Sequence, residues 1–544
     1  MEREAPACAN QLIQDTMASR CLKQENPIRF WGIFLALCFL SLISALDVSI
    51  VATALPTITA KIGGTALYIW IVNSFTIGST VLQPLYGQLA DTLGRRRPLI
   101  ASVVLFAVGS GIAGGAINPA MLIAGRSIQG LGAGGIYVLI DIVSCDLVPP
   151  RERGKYLGLL LSWSGIGAAI GPVLGGAIAQ RDWRWIFYLN IPICGVALAA
   201  ILAFHKDGTS FSFKERRPSV WKLDYLGAFL FVPSLVAVLF GLITGGIVYP
   251  WSSFRVILPL VLGFLGWATF HVQQMYASIP SVPPKLFNNR TSAAGFFLAF
   301  LSAVLPQVII YFLPVYFQAV KGVDVQISGV YFLTFTIGTI ISAAIAGILM
   351  TKLGTYRALH ASGFALSTVG FGILTLLGGQ PTTVKWVFLV LISSIGPGIT
   401  TTIILPAILA ALPESAAAAA TATYAFLRSF GYVWGTSIPS IIFNAVVNRN
   451  LYLIDNSSLQ DRLRDGGAYS FSSQAHSAKD TFPIMVWDQA LRVYVLGLNS
   501  IWYFGLGFSI LGFVVVWIEK NLVLKDGLNT EHDNQEKITS VGKP

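Results

Sequence analysis

Charged residues are scarce in this 544-residue chain, and their scarcity excludes most classes of soluble protein. Lys, Arg, Asp and Glu together make up 11% of the residues, whereas 54% of the residues are hydrophobic. Soluble domains usually carry about 25% charged residues. The composition therefore predicts a membrane protein.

Histidine and cysteine are also few, with five of each. The sequence contains no Cys/His spacing typical of a metal site, and no Ser/His/Asp set or paired intramembrane carboxylates that would support a membrane enzyme. No cofactor is therefore expected. A disulfide framework is not expected either, because the cysteines fall in apolar segments or on the predicted cytoplasmic side. They are Cys8, Cys21, Cys38, Cys145 and Cys194.

Long apolar segments recur along the whole chain. Each has about 20 residues or more, which at about 1.5 Å per residue is enough to cross roughly 30 Å of hydrocarbon. The first thirty residues are polar and mixed in charge, so a signal peptide is not expected. Fourteen spans are predicted near 31–53, 67–88, 98–118, 120–143, 155–179, 185–204, 224–244, 253–272, 293–318, 327–349, 357–378, 385–410, 417–446 and 497–518.

The positions of Lys and Arg predict the orientation. Basic clusters follow the second, fourth and sixth spans at 95–97, 151–155 and 206–222, whereas the alternate loops hold scattered single cations. Because basic loops stay in the cytoplasm, both termini are expected inside. This distribution accounts for the net charge of +11 without a nucleic-acid partner.

One long segment, 448–488, is predicted to lie on the exterior between the last two spans. It contains Asn456-Ser457-Ser458, an acceptor pattern for N-glycosylation that would fit this side. A chance match is the alternative interpretation. The similar Asn289-Arg290-Thr291 lies on the predicted cytoplasmic side.

A short basic loop between the second and third spans carries the most specific motif. The stretch GQLADTLGRRRP places Gly87, Asp91, Gly94, Arg95 and Arg97 in the pattern G-x3-D-x2-G-R-x-R. This resembles the signature loop of the major facilitator superfamily. The corresponding stretch of the second half, GILMTKLGTYR, departs from the pattern, and we therefore expect no equivalent charged latch there.

Four further stretches resemble motifs of the same superfamily. LIAGRSIQGLGAGG (122–135) is similar to the Arg-containing motif of the fourth span, and GAAIGPVLGG (167–176) to the Gly-Pro motif of its antiporters. LDVSIVATALP (46–56) and WRWIFYLNIP (183–192) are similar to motifs of the drug:proton antiporters with fourteen spans. Beyond this N-terminal third the likeness is looser, at LDYLGA (223–228) and FLRSFG (426–431).

The resemblance implies an all-α membrane protein with the major facilitator fold, in which two six-helix bundles are joined by two linking spans. It implies proton-driven efflux of a small apolar compound such as a drug, toxin or secondary metabolite, with membrane lipids as neighbours and a monomeric chain. Fungal members look most similar, so the plasma membrane is the first expectation and the vacuolar membrane the second. The alternatives are a siderophore or nutrient importer of the same fold and a non-transporting sensor. The predicted boundaries are 1–30 (tail), 31–204 (N-terminal bundle), 205–222 (loop), 223–272 (linking spans), 273–292 (loop), 293–518 (C-terminal bundle) and 519–544 (tail).

Asp91 in the basic loop is expected to form a breakable latch. Its carboxylate would sit at the positive N-terminal end of a neighbouring helix, while the arginines bind lipid phosphates or nearby acids such as Asp146. In the resembled family the partner is the helix equivalent to span thirteen. The alternative is a topology signal alone, which explains the arginines but neither Asp91 nor the glycines.

The fifth span has glycines at every fourth position, which predicts a helix face that lets a neighbouring backbone approach closely. A proline on the same span can bend it. The antiporter resemblance adds a barrier to proton leak, whereas simple packing is the alternative. The residues of this motif are Gly167, Gly171, Pro172, Gly175 and Gly176.

Ionisable residues within spans are expensive in lipid and predict functional sites. Asp47 and Arg126 are expected at similar depths, so we predict that they form a proton-coupling pair; a static ion pair is the alternative. Arg428 has no acid in the spans of its own half and is expected to bind backbone carbonyls or a substrate anion. The aromatic candidates for the cavity lining are Trp70, Tyr137, Trp163, Tyr311, Phe426 and Trp434.

Overall fold

In the computed structural model the regular elements of the described residues are helices, and an isolated β-bridge pairs Gly245 with Tyr249. The structure describes residues 27–63, 67–147, 153–204, 224–245, 249–277, 280–353, 355–379, 382–413 and 416–520. A few side chains within these ranges, including those of Asp91 and Asp146, lie outside the description. The predicted loop 205–222 and nearly all of both tails also lie outside it.

The long helices of the first half run alternately in opposite directions. We call the face where the first helix begins the inner face, which is predicted to be cytoplasmic, and the opposite face the outer face. The helices are α1 (Pro27–Ile62), α2 (Tyr68–Val81), α3 (Gln83–Leu93), α4 (Arg96–Gly114), α5 (Pro119–Leu147), α6 (Arg153–Asp182), α7 (Trp185–Tyr188) and α8 (Asn190–Phe204). The pairs α2/α3 and α7/α8 each form one passage.

Two linking helices and a second set of long helices follow. A short π-helical turn extends α11, and three short helices lie in the predicted exterior segment. The helices are α9 (Tyr225–Thr244), α10 (Phe254–Tyr276), α11 (Arg290–Val315), α12 (Val325–Leu353), α13 (Arg357–Leu374), α14 (Thr383–Ala410), α15 (Ala417–Asn450), α16 (Ser457–Leu463), α17 (Gly467–Phe471), α18 (Ala475–Ala478) and α19 (Ile484–Val516).

Twelve helices of the described part are long and apolar enough to cross a membrane. Two of the predicted spans are not among them. The span predicted at 67–88 is divided into α2 and α3, and Pro84 stands at the start of α3, where a proline is tolerated. The span predicted at 357–378 falls on the 18-residue helix α13, which carries Arg357 and His360. The count of fourteen therefore stays a prediction.

Glycines set the packing of the N-terminal bundle. A Cβ atom added at Gly130 would meet the backbone of Phe75, and one added at Gly125 would lie 2.6 Å from the backbone nitrogen of Ala113. Glycine is required at such places because any side chain would separate the two helices. The glycines of α5 thus bring α2 and α4 onto it at backbone contact.

The ends of the bundles differ from the predicted boundaries. Helix α1 begins at Pro27 and α19 begins at Ile484, within the predicted exterior loop. Glu519, expected at the start of a polar tail, is buried, and its Oε2 lies 2.8 Å from Nδ1 of His360 on α13. This pair joins the inner end of α13 to the residues that follow α19.

The linking helices α9 and α10 pack as a pair whose inner ends are held by Asp224. The Asp224 carboxylate accepts hydrogen bonds from the amide of Gly227 at 2.8 Å, from the side chains of Gln273 and Gln274 at 2.9 and 2.6 Å, and from the hydroxyl of Ser281 at 3.0 Å. Ser281 lies in the segment that leads into α11, so Asp224 fastens both linking helices to the second half.

Candidate functional site

A buried polar cluster surrounds Asp47 and Arg126, the two residues that the sequence pairs by depth. The Arg126 Nη1 donates to Asp47 Oδ2 at 2.7 Å and to Gln129 Oε1 at 2.7 Å. Gln129 and Asn190 each donate to Asp47 Oδ1 at 2.8 Å. Helices α1, α5 and α8 therefore meet at one carboxylate.

The cluster is closed to solvent. Asp47, Arg126 and Asn190 are each 1% exposed. The guanidinium of Arg126 also lies over the ring of Phe75, 4.1 Å from its centroid, where the π face favours a cation. Breaking a buried ion pair by removing one partner costs about 3–5 kcal/mol. Separation of Asp47 from Arg126 would therefore have to be compensated by other interactions.

Sequence reasoning missed three members of this cluster: Ser110, Gln129 and Asn190. Ser110 on α4 accepts from Gln129 at 2.9 Å and from Asn190 at 3.2 Å. Gln129 and Asn190 both lie inside the two stretches already singled out, where a polar side chain in an apolar segment could have marked them.

The glycines of α6 pack against α1, which belongs to the same half. Added Cβ atoms at Gly167 and Gly171 would meet Leu42 and Ser49, and one at Gly175 would lie 2.6 Å from the carbonyl oxygen of Ile50. Because these neighbours lie in its own half, the glycine face fixes α6 to α1 within the N-terminal bundle.

The contact between the halves is made by the other side of α6. A Cβ atom at Gly176 would lie 2.6 Å from the carbonyl oxygen of Val325 on α12, and one at Gly329 on α12 would meet the carbonyl oxygen of Pro172. The two backbones thus touch toward the outer face.

Polar and aromatic contacts also hold the halves together toward the outer face. The rings of Tyr68 and Tyr469 stack with centroids 4.2 Å apart, and the Tyr68 hydroxyl donates to Asn444 at 3.5 Å. Deeper in the molecule, Asn73 donates to Ser437 at 2.7 Å. The outer face is therefore closed in this structure.

The segment expected as an exterior loop forms part of this closure. Its helix α17 packs on α1, and the Tyr469 hydroxyl donates to the carbonyl oxygen of Tyr311 at 3.3 Å. Asn456 caps α16 by accepting from the amide of Leu459 at 2.9 Å, and its glycosylation stays a prediction.

The structure describes the basic loop in part. Gly94 has a φ of 82°, a left-handed conformation that favours glycine, and Arg95 donates to the carbonyl oxygen of Ala90 at 2.6 Å. The Arg97 side chain is exposed. At Gly87 an added Cβ would lie within 4 Å of none of the described atoms, so these residues show no close helix contact that requires glycine there. The side chains of Asp91 and Asp146, and with them the predicted latch, lie outside the described residues.

Three of the predicted cavity aromatics turn away from the centre. Phe426 packs on Phe231 of α9 with ring centroids 5.2 Å apart, and Trp70 lies 6.0 Å from Phe240 of the same helix. Trp434 lies on the same side of α15 as Phe426, and its ring centroid is 5.8 Å from that of Phe430. Phe426, Phe430 and Trp434 are spaced by four residues, so they share one side of α15, and this side faces the linking helices.

The other candidates lie nearer the centre. Tyr137 and Tyr311 are each close enough to Asp47 and Arg126 to interact electrostatically. Trp163 lies against Phe39 of α1, 5.5 Å away. Arg428 is partly buried on α15, with its guanidinium 5.4 Å from the ring centroid of Tyr424.

Comparison with known proteins shows the family of the chain. The family model of the Major Facilitator Superfamily matches residues 37–436. The chain belongs to the major facilitator superfamily. Its resemblance in sequence motifs is thereby confirmed, and the chain is a multi-pass membrane transporter rather than an enzyme.

Several similar relatives within the superfamily are fungal. The MFS efflux transporter aclA of Aspergillus oryzae is 42% identical over 529 residues, which cover 95% of this chain and 94% of that one. The MFS-type efflux pump LUC4 of Fusarium is 41% identical over 524 residues, which cover 95% of this chain and 92% of that one. This superfamily member is thus similar to fungal efflux transporters over nearly its whole length.

Solved structures of the superfamily show the same fold at low identity. A bacterial homologue of the human lysosomal transporter Spinster, in an inward-facing and unoccupied conformation, has a TM-score of 0.60 and 14% identity. The match covers 91% of this chain and 98% of that one. The likeness supports the major facilitator fold for the chain.

Proposed function

We propose that the chain is a proton-driven exporter of a small, largely apolar organic compound such as a toxin or secondary metabolite. The observation that carries the proposal is the buried Asp47–Arg126 pair, 2.7 Å apart inside one half of the transporter. The names of the fungal relatives, which call them efflux transporters, support the direction of transport.

The pair suits proton coupling because its two members respond differently to separation. Arg stays charged throughout, whereas a buried carboxylate that loses its cation takes up a proton. Gln129 and Asn190 keep the carboxylate hydrogen-bonded while this happens. Proton uptake at Asp47 would then be linked to a movement of α5 against α1.

Rocking of two bundles about a central cavity would expose the compound alternately to each side. The outer contacts between α2 and α15 would open in the outward-facing state, and the latch at Asp91 would close the inner face. We further propose fourteen spans with both termini in the cytoplasm, a monomer, and residence in the plasma membrane. The vacuolar membrane is the second choice.

An export assay tests the proposal. Cells with and without the gene product are loaded with a panel of labelled toxins and metabolites, and retention is measured with and without a proton uncoupler. We expect lower retention of at least one compound in producing cells, and loss of the difference with uncoupler. Equal retention across the panel, or uptake that the chain increases, contradicts export; uptake would indicate an importer.

A further inference from the structure

Arg428 is a charged residue that the proposed mechanism does not use. It lies 11 residues along α15 from the inner end, or about 16 Å, within the apolar depth of the protein. Its Nε atom is buried without a hydrogen-bond partner, and the described ion pairs do not include it. A cation in such a place is costly unless a charge or ligand compensates it.

The acid that interacts electrostatically with Arg428 lies in the N-terminal half. Asp141 lies on α5, and its side chain is exposed. It is close enough to Arg428 to interact electrostatically. Its accessible side chain, on a helix packed among others and near Arg428 of the second half, indicates a cleft between the halves at this depth. Asp141 stands six residues before the inner end of α5.

Two stripes of side chains face each other across this cleft. On α15 the phenols of Tyr424 and Tyr432 flank Arg428 at intervals of four residues, which places all three on one side of the helix. On α5 Tyr137 stands four residues from Asp141 and interacts electrostatically with both Arg428 and Tyr432. The stripes combine one cation and one carboxylate with aromatic rings that offer hydroxyl groups.

This combination selects for one kind of ligand. A guanidinium forms two parallel hydrogen bonds with a carboxylate or a similar planar anion, and aromatic rings pack against an apolar body. A cationic ligand would be repelled by Arg428. A neutral ligand that separated Arg428 from Asp141 would leave both charges without compensation.

We propose that Arg428 is the anion-binding group of the transport cavity and that the exported compound is an organic anion with a largely apolar, ring-containing body. Asp141 acts as the counter-charge of Arg428 in the empty cavity, and the anionic group of the compound displaces it. The inference rests on the proposed export function for its physiological meaning. It concerns binding, which is measured separately from export.

The test uses two dyes with the same xanthene ring and opposite charge. Fluorescein is an anion at neutral pH, and tetramethylrhodamine methyl ester is a cation. Binding of each to the purified full-length protein in detergent is measured by fluorescence anisotropy. We expect fluorescein to bind at least about tenfold more tightly than the cationic dye.

Substitutions on the two sides of the cleft should have opposite effects. Arg428→Gln is expected to weaken fluorescein binding about tenfold or more, and Arg428→Lys to retain part of it. Asp141→Asn should tighten binding severalfold, because it removes the competing carboxylate. The matched control is Arg449→Gln, which removes the same charge from the exposed outer end of α15, about 31 Å away, and should change nothing.

Three results overturn the inference: preference for the cationic dye, binding of neither dye by folded protein, or equal fluorescein affinity in the Arg428 variants. Because Arg428→Gln can impair folding, Arg428→Lys and Asp141→Asn decide the matter if it does; weaker binding in Asp141→Asn contradicts the exchange of counter-charge. Protein that binds fluorescein through Arg428 but exports nothing from cells contradicts the proposed function and leaves this inference standing.

Discussion

The ring of Tyr68, at the outer end of α2, stacks on the ring of Tyr469 with an angle of 11° between their planes. The two residues belong to different halves of the chain, and Tyr469 lies in the segment that the sequence places outside the membrane. Both rings are buried. The exterior segment is therefore part of the closure between the halves, and it must move when the cavity opens outward.

Replacement of Tyr469 by Ala should favour the outward-open state. An aromatic pair contributes about 0.5–1.5 kcal/mol beyond its buried area, which corresponds to a shift of about two- to tenfold in a two-state equilibrium. The measurement is labelling of Ser437→Cys, a buried site below the stack, with a membrane-impermeant maleimide from the outside. Faster labelling is expected. Tyr452→Ala, at a tyrosine 73% exposed in the same segment, is the control and should not change the rate.

Asp47→Asn should abolish uphill export driven by a pH gradient while protein level and substrate binding stay near those of the parent. The amide keeps one acceptor oxygen, which can serve Arg126 or else Gln129 and Asn190, and it cannot take up a proton. Concentrative export by inside-out vesicles is the measurement, with Asp182→Asn at the outer end of α6 as the control. Export at the parental rate would show that Asp47 is not the coupling acid. A fall in protein level would instead favour a static ion pair.

Gly171→Ala should impair transport, and Gly171→Leu should abolish it, because an added side chain meets Ser49 and forces α6 away from α1. The control is Gly165→Ala on the same helix, where the added carbon would lie 3.7 Å from Ile340, an ordinary contact. Transport and passive proton leak are measured together in proteoliposomes. A leak without transport supports a barrier role; normal transport by Gly171→Leu would show that the helix contact is unimportant.

Asp91→Asn should slow transport strongly while membrane insertion stays normal, since the arginines of the loop remain. A charge at a helix end contributes about 0.3–2 kcal/mol, enough to shift a two-state balance by up to roughly thirtyfold. Transport rate per inserted molecule is the measurement, and Asp488→Asn, an exposed acid at the outer face, serves as the control. A normal rate in Asp91→Asn would exclude the latch.

The hydrogen bonds to the Asp224 carboxylate should make the stability of the fold depend on pH. Burial alone would raise the pKa of Asp224, but hydrogen bonds from Gln274, the Gly227 amide, Ser281 and Gln273 outweigh it and lower the pKa below the ordinary 3.8. A lowered pKa gives a stabilisation that is complete above the unfolded value and is lost as the pH falls through the folded value. The excess thermal stability of the parent over Asp224→Asn should therefore be constant from neutral pH to about pH 5 and shrink below about pH 4.

The control for this prediction is Asp461→Asn, at a carboxylate 74% exposed whose nearest cation is 3.9 Å away. Its melting temperature should equal that of the parent at every pH. A difference between the parent and Asp224→Asn that grows on acidification would contradict the assignment.

Residue types and distances along single helices explain what the sequence could predict. Counting 1.5 Å per residue placed Asp47 and Arg126 at one depth, and the structure puts their side chains in contact. A search for acids in the spans of its own half left Arg428 without a partner. It considered one half alone, whereas the relation between Arg428 and Asp141 crosses the two halves of the transporter.

Contacts with distant helices also decide the surroundings of other residues. Phe426 and Trp434 are aromatic and lie on the helix that carries Arg428, but a sequence does not show which side of a helix faces the cavity and which faces the linking helices. The exterior segment reads as polar, although Tyr469 and Phe471 are buried through contacts with distant helices. Gly87 matches the motif, but none of the described atoms lies close enough to require glycine there.

The packing of α9 and α10 against α15 limits how this protein can be shortened. Phe231 of α9 covers Phe426, and Trp267 of α10 lies 5.5 Å from Phe430, so both helices shield one aromatic side of α15. Asp224 also fixes the segment that begins the second half. A twelve-helix derivative made by deleting the pair would expose these rings to lipid and release the start of α11. The pair would have to be replaced by a redesigned surface rather than by a flexible linker.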